Sequence, residues 1–294
     1  SSSGAGGTAK LAGAVPDPAN PPTASLSLPV VREVAFDRPL QWLALAWRDM
    51  ARCGWLSFAH GAAMAVFGAV LYYLARDRFW LLAGAFSGFL VIAPVLATSL
   101  YAMSRALEKG EPVNVRLLVV TWTRWQQSRR DLPASYWSLV RFGLLLAAAG
   151  TGWVLTSAAL ITLLAPQPIH GPMDFIRFVV LDPRSYLFEL WLAMGGIMAA
   201  PMFASSVVSM PLLLDRRATI LQAVLTSWQT VLINPMPMAL WAALIMGFTL
   251  LGLGSLLIGL IFVIPMLGHA SWHAYRDLVD PSSLVERLPP KEAP

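Results

Sequence analysis

The chain has 294 residues, of which 57% are hydrophobic and 13% charged, about half the charged share of a soluble globular domain. That balance, with a mean hydropathy of +0.62, excludes an ordinary soluble enzyme and indicates an all-α integral membrane protein. A single cysteine, Cys53, excludes an internal disulfide and any CxxC metal or covalent haem site, and the net charge of +5 forms no basic cluster on a soluble domain, which excludes nucleic acid as a partner.

Taken in order, residues 1–34 are rich in Ala, Ser, Gly and Pro and are expected to form a disordered cytoplasmic tail. A membrane domain follows over 35–280, with a second cytoplasmic tail over 281–294. A crossing helix needs about 20 mostly apolar residues, and such runs occur at 54–75, 79–103, 142–165 and 188–214. From Met236 to Trp272 the chain is almost uninterrupted apolar, too long for one crossing at about 1.5 Å per residue. Gly252-Leu253-Gly254-Ser255 near its middle supplies a turn, dividing the run into spans 236–253 and 255–274. Six spans place both termini on one side. Arg76, Arg78, Arg177 and Arg184 then fall on the opposite side and the other 17 of the 21 Lys and Arg on the side of the termini, the positive-inside pattern of cytoplasmic ends.

Spans 2, 4 and 6 each carry a glycine six residues before a proline: Gly88 and Pro94, Gly195 and Pro201, Gly259 and Pro265. Upstream of each hairpin lies a Trp-bearing stretch: LALAWRDMARC with Trp47, LVVTWTRWQQS with Trp125, and QAVLTSWQTVL with Trp228. The second has Val115, Leu118, Trp122 and Trp125 on one helical face and Arg116, Thr123, Gln127 and Arg130 on the other, the pattern of a helix lying in the headgroup plane. The predicted architecture is three helical hairpins with interfacial amphipathic helices, a pseudo-threefold repeat. Proline inside a span kinks it and the nearby glycine admits a close neighbour, so these positions set helix packing or shape a cavity.

No P-loop, GxGxxG, HExxH or serine-hydrolase elbow is present, so no enzyme activity is expected. The ionisable groups at membrane depth include His60 in span 1 and His269 and His273 near the inner end of span 6. His269, His273 and Asp277 follow one another at i, i+4 and i+8 on one helical stripe. In one reading this stripe, with Trp272, Tyr275 and Arg276, is a collar that fixes helix depth at the headgroups. In another, His60, His269 and His273 converge on a metal ion or haem, with Asp277 orienting the second ring; no cofactor is otherwise required.

The string GHASWHAYRDLVD, with APVLATSLYAMSRALEKGEP as its earlier counterpart, resembles a bacterial family of predicted integral membrane proteins of unknown function, some members of which are labelled putative cytochrome c oxidase subunits. The resemblance extends over about residues 35–285 and implies a bacterial inner-membrane location. Four histidines in the whole chain do not supply the six ligands of the oxidase catalytic subunit. The expected role is an accessory, assembly or scaffold component of a larger, respiratory membrane complex, with the lipid bilayer and the other subunits as partners. The alternatives are a small-molecule or lipid transporter and a handler of metal or haem.

Overall fold

The structure, a computed structural model, describes residues 26–77, 93, 96–127 and 137–287. A short strand β1 (Val30–Val31) precedes α1 (Arg38–Cys53), which passes through Gly54 into α2 (Trp55–Ala75). The next helix, α3, is described over 96–108. It is followed by α4 (Val115–Gln127), α5 (Trp137–Leu164), a short α6 (Pro172–Phe175) that continues as a π-helical turn, α7 (Leu187–Ser206), α8 (Ser209–Asp215), α9 (Ile220–Ile233), α10 (Pro235–Gly254), α11 (Leu260–Leu278) and strand β2 (Val279–Asp280).

Among the described residues four helical segments are long and apolar enough to cross a membrane: Trp55–Leu74, Trp137–Leu164, Leu187–Asp215 and Pro235–Gly254. The expected span 79–103 lies largely outside the described residues. The expected span 255–274 is not among the four, because the last turns of α11 carry His269, His273, Arg276 and Asp277. The turn before α11 also falls later than the Gly-Leu-Gly-Ser tetrad, at residues 255–259, with Leu256 and Leu257 in the left-handed region (φ 56° and 69°).

The three Trp-bearing stretches are amphipathic helices. α1 turns Trp42, Leu43, Ala46, Asp49, Met50 and Cys53 inward while Leu40 and Trp47 face out. In α4, Leu118 is buried whereas Val115, Val119 and Trp122 are exposed, so the expected apolar face is divided between the bundle and the surroundings; the side chain of Trp125 lies outside the description. α9 exposes Leu221, Leu225, Trp228 and Leu232 and opens with a capping box in which Thr219 and Gln222 bond reciprocally. α1 packs along α11, and α9 along α7.

One end of the bundle is closed by a polar cap. β1 pairs antiparallel with β2, Val30 opposite Asp280 and Val31 opposite Val279, and the Asn234 side chain accepts from Val34 N and donates to Arg32 O (both 2.9 Å). On the C-terminal side, Arg217 N donates to Val285 O (2.8 Å) and Arg287 N to Asp215 O (2.9 Å). The expected tail boundaries at 34 and 281 therefore move: residues 30–34 and 281–287 are part of the folded body, held by backbone bonds that their composition does not announce.

Of the Gly and Pro pairs, Gly88 and Pro94 lie outside the described residues. Gly195 lies against the Trp153 ring, 3.1 Å from where its Cβ would stand. Pro201 is exposed and Pro265 buried, each inside a continuous helix. Gly259 immediately precedes α11.

Candidate functional site

A buried polar cluster lies where α1, α2, α3 and α11 meet. Helix α11 approaches α2 unusually closely: a Cβ on Gly61 would stand 2.3 Å from the Ile261 carbonyl oxygen, so only glycine allows this contact. That approach brings Ser57 of α2 against His269 of α11, with Ser57 Oγ 2.7 Å from His269 Nε2. On the other side of the ring, His269 Nδ1 is 2.6 Å from Ser104 Oγ of α3. The Ser104 hydroxyl donates to Asp49 Oδ2 of α1 (2.8 Å), and His273 Nε2 lies 2.6 Å from the same oxygen. His269 is 0% exposed and Asp49 1%.

The proton positions follow from the donor inventory. A serine has one proton, and Ser104 gives its own to Asp49, so it accepts from His269 Nδ1–H. A neutral His269 then presents Nε2 as an acceptor, and the Ser57 hydroxyl donates to it. His273 Nε2–H donates to the carboxylate. Every bond therefore points toward Asp49, whose negative charge sets the His269 tautomer through Ser104. Burial pushes the Asp49 carboxyl up, but the bonds from His273 and Ser104 outweigh it and hold the group below the usual carboxylate range. Cys53, beside Ser57, has its thiol pushed up to about 11, chiefly by burial, which makes it inert at neutral pH.

The sequence-predicted trio is only partly brought together. His269 and His273 share the chain through Asp49, but His60 bonds its Nδ1 to Leu56 O (2.6 Å) and its Nε2 is buried without a partner. Among the described residues no group of three or more His, Cys, Asp or Glu is placed to hold a metal ion, and both His269 nitrogens are occupied by serines, so the expected shared ion on His60, His269 and His273 is not what the geometry forms.

Asp277 does not orient His273 either. It receives Arg38 Nε and Nη2 (2.7 Å each) and Trp42 Nε1 (2.8 Å). Burial acts to raise its carboxyl and these donors lower it, with a net downward shift. The i+4 spacing places Asp277 on the right stripe, but α1 inserts Asp49 at one turn and Arg38 at the next.

The aromatic residues of the expected collar are likewise protein-facing. Trp272 and Tyr275 are almost completely buried, Trp272 Nε1 donating to Glu108 Oε2 (3.2 Å) and Tyr275 Oη to Asp215 Oδ2 (2.6 Å). Arg276 Nε donates to Glu108 Oε1 (2.9 Å). Trp272 and Tyr275 are turned into the protein, where α1, α3 and α8 meet the end of α11, while Arg276 stays half-buried. Asp49, Ser57 and Ser104 escape sequence reading. The available signal for Asp49 is its place on the otherwise apolar stripe of α1.

The second polar knot lies in the cap. Arg105 donates through Nε to Asp215 Oδ1 (2.8 Å) and through Nη2 to the Arg287 carbonyl (2.7 Å). Lys109 and Glu286 form an adjoining ion pair. Arg105 thus ties α3, α8 and the C-terminal segment to one another.

Residues 81–215 match the model of a family described as "Predicted integral membrane protein (DUF2189)". No curated protein and no solved structure matches the chain. The DUF2189 match takes in α3 to α8, including Ser104, Arg105 and Asp215. It leaves out α1, α2 and α11, and with them Asp49, Ser57, His269 and the GHASWHAYRD string on which the sequence resemblance rests.

Proposed function

We propose that the chain is a non-catalytic accessory, assembly or scaffold component of a larger membrane complex in the bacterial cytoplasmic membrane. It has six membrane-inserted segments in three hairpins and both ends in the cytoplasm. The observation that carries the reading is that the residues of the buried Asp49 cluster are engaged with one another. Asp49, Ser57, Ser104, His269 and His273 are bonded to one another, an arrangement that orients helices rather than leaving a group poised for a substrate. Large apolar residues meanwhile face outward, among them Leu144, Leu155 and Leu163 on α5, Ile197 on α7 and Met246 on α10. A surface of this kind suits lipid and neighbouring apolar subunits.

The pairing of β1 with β2 and the charge asymmetry support a common cytoplasmic side for both ends. The threefold pattern is supported by the interfacial helices: Trp47, Trp122 and Trp228 all face outward, and Trp122 and Trp228 each donate to a serine 23 residues upstream, Ser99 and Ser205. α1 packs on α11 as α9 packs on α7, so the N-terminal helix serves the last hairpin.

The test is extraction in a mild detergent followed by mass determination and identification of what remains bound. A partner protein in fixed ratio, recovered again when the two purified chains are mixed in lipid nanodiscs, is expected. A monodisperse single chain carrying lipid alone overturns the reading. Reporter fusions at Asp215 and Pro294 are both expected to report cytoplasm; a periplasmic signal at Pro294 removes the paired-end topology.

A further inference from the structure

The last hairpin differs from the hairpin of α5 and α7 in reach. Arg105 and Asp215 are bonded to each other, and Asp215 accepts from Tyr275, the neighbour of Arg276, so these residues mark one level in the cap. From Asp215 back to the start of α7 at Leu187 is 28 residues. From Arg276 back to Gly259 is 17. The shortfall of 11 residues amounts to about 16 Å of helix, roughly half of a hydrocarbon core of about 30 Å.

The side-by-side packing of α2 and α11 gives the same displacement. The two run antiparallel, with Ser57 at His269, the Phe58 ring 5.6 Å from that of Phe262, and Gly61 against Ile261. Ile261 is two residues beyond the turn, whereas Gly61 is only seven residues into an α2 that runs on to Ala75. The tip of the α10–α11 hairpin is therefore level with the middle of α2. At the other end, α10 starts inside the cap: Asn234, immediately before it, is bonded to the N-terminal segment, and Trp241 lies edge-on against Trp42 of α1.

The chemistry of the tip fits that depth. The far ends of the neighbouring helices carry groups suited to headgroups: Tyr72 and Tyr73 in the last turns of α2 with Arg76 and Asp77 just after it, and Arg177, Asp182, Arg184 and Tyr186 before α7. Residues 242–268 contain no charged residue, histidine, tryptophan or tyrosine, and at the tip Leu256 is 86% and Ile258 63% exposed. Much of the turn's backbone is satisfied from within. Ser255 Oγ donates to Gly252 O (3.0 Å) and accepts from Gly259 N (2.9 Å), while Ile258, Leu260 and Ile261 N–H groups donate to Ser255, Leu257 and Ile258 carbonyls. Hydrocarbon demands such internal bonding, since it offers no partner to a free amide.

We propose that α10–α11 is a re-entrant hairpin. It enters and leaves through the cytoplasmic face, and Leu256 and Ile258 contact acyl-chain ends near the bilayer midplane instead of the far headgroups. The inference rests on the membrane reading above. It leaves both termini cytoplasmic and the charge asymmetry unchanged, because the tip carries no charge.

Single-cysteine labelling in intact cells and inverted vesicles tests it, with the buried, inert Cys53 of the parent chain as the unlabelled background. Asp77→Cys is expected to react with a membrane-impermeant maleimide in intact cells and Ser282→Cys only in inverted vesicles. Leu256→Cys and, as a second position, Ile258→Cys are expected to react from neither side until the membrane is dissolved. A nitroxide at Leu256→Cys is expected to be relaxed by oxygen and not by a polar nickel reagent. Labelling of both tip cysteines from the side that labels Asp77→Cys means that the hairpin crosses, and labelling of both from the side of Ser282→Cys means that it lies outside the core; either overturns the proposal. Asp77→Cys and Ser282→Cys labelling from the same side instead overturns the membrane topology itself.

Discussion

Asp49 carries a disproportionate share of the buried electrostatics, since one carboxylate accepts from Ser104 and His273 and through Ser104 fixes the His269 ring. Asp49→Ala leaves these donors buried without an acceptor and is expected to cost about 1–3 kcal/mol, the range for a buried polar group left unsatisfied. Thermal unfolding in detergent should show the loss. His273→Ala removes one donor at the rim and should cost less. The same carboxyl gives a pH dependence. Its folded-state value lies below the ordinary carboxylate range of about 3.9, so its contribution is complete above that range and is lost as pH falls through the depressed value. Unfolding temperature measured from pH 7 down to 3 should fall on the acid side, and the fall should be shallower in Asp49→Asn, where this proton uptake is absent.

At the scale of elements, the contact between α2 and α11 depends on the absence of a side chain at one position. Gly61→Val would drive Cβ into the Ile261 backbone, which cannot move as a side-chain end does, and the expected cost is about 1–3 kcal/mol or more. Gly152→Ala on α5 meets nothing within 4 Å and is expected to leave stability unchanged or slightly raised through helix propensity. Expression level and unfolding temperature of the two variants, compared side by side, check the contrast. The contact has a consequence beyond stability, because it sets where Ser57 meets His269 and hence the depth at which the α10–α11 hairpin stops.

For the whole molecule, the cap holds together segments far apart in sequence. Arg105 joins α3 to Asp215 and to the Arg287 carbonyl, and Arg287 Nε returns to the Leu213 carbonyl (2.8 Å). A chain ending at Asp280 loses the Arg287 and Glu286 partners and leaves Arg105 with Asp215 alone among these bonds. It is expected to unfold at lower temperature and to gain protease sensitivity around α8. Arg105→Ala, which strands a buried Asp215 between Tyr275 and Arg216, is expected to be more damaging than the truncation. Limited proteolysis and thermal unfolding distinguish the two.

Some of this architecture is legible in the sequence. Apolar run length and charge asymmetry depend on local composition, and they locate helices α2, α5, α7 and α10 and the three amphipathic stretches because water, hydrocarbon and the headgroup layer each select residues one at a time. The His269 and His273 stripe is equally visible, since helical spacing places both on one face. Their partners are not, because i+4 spacing nominates Asp277, whereas Asp49 and Ser104 reach the rings from helices separated from them by 224 and 165 residues. The same limit explains the collar: Trp, Tyr and Arg at a helix end suit both a headgroup layer and a buried hydrogen-bonded cap. Packing decided between them by covering α11 with α1, α3 and α8. Hydropathy determined which segments prefer hydrocarbon, while how deep the last hairpin sits was decided by close contact at Gly61, a property of two surfaces meeting rather than of either segment alone.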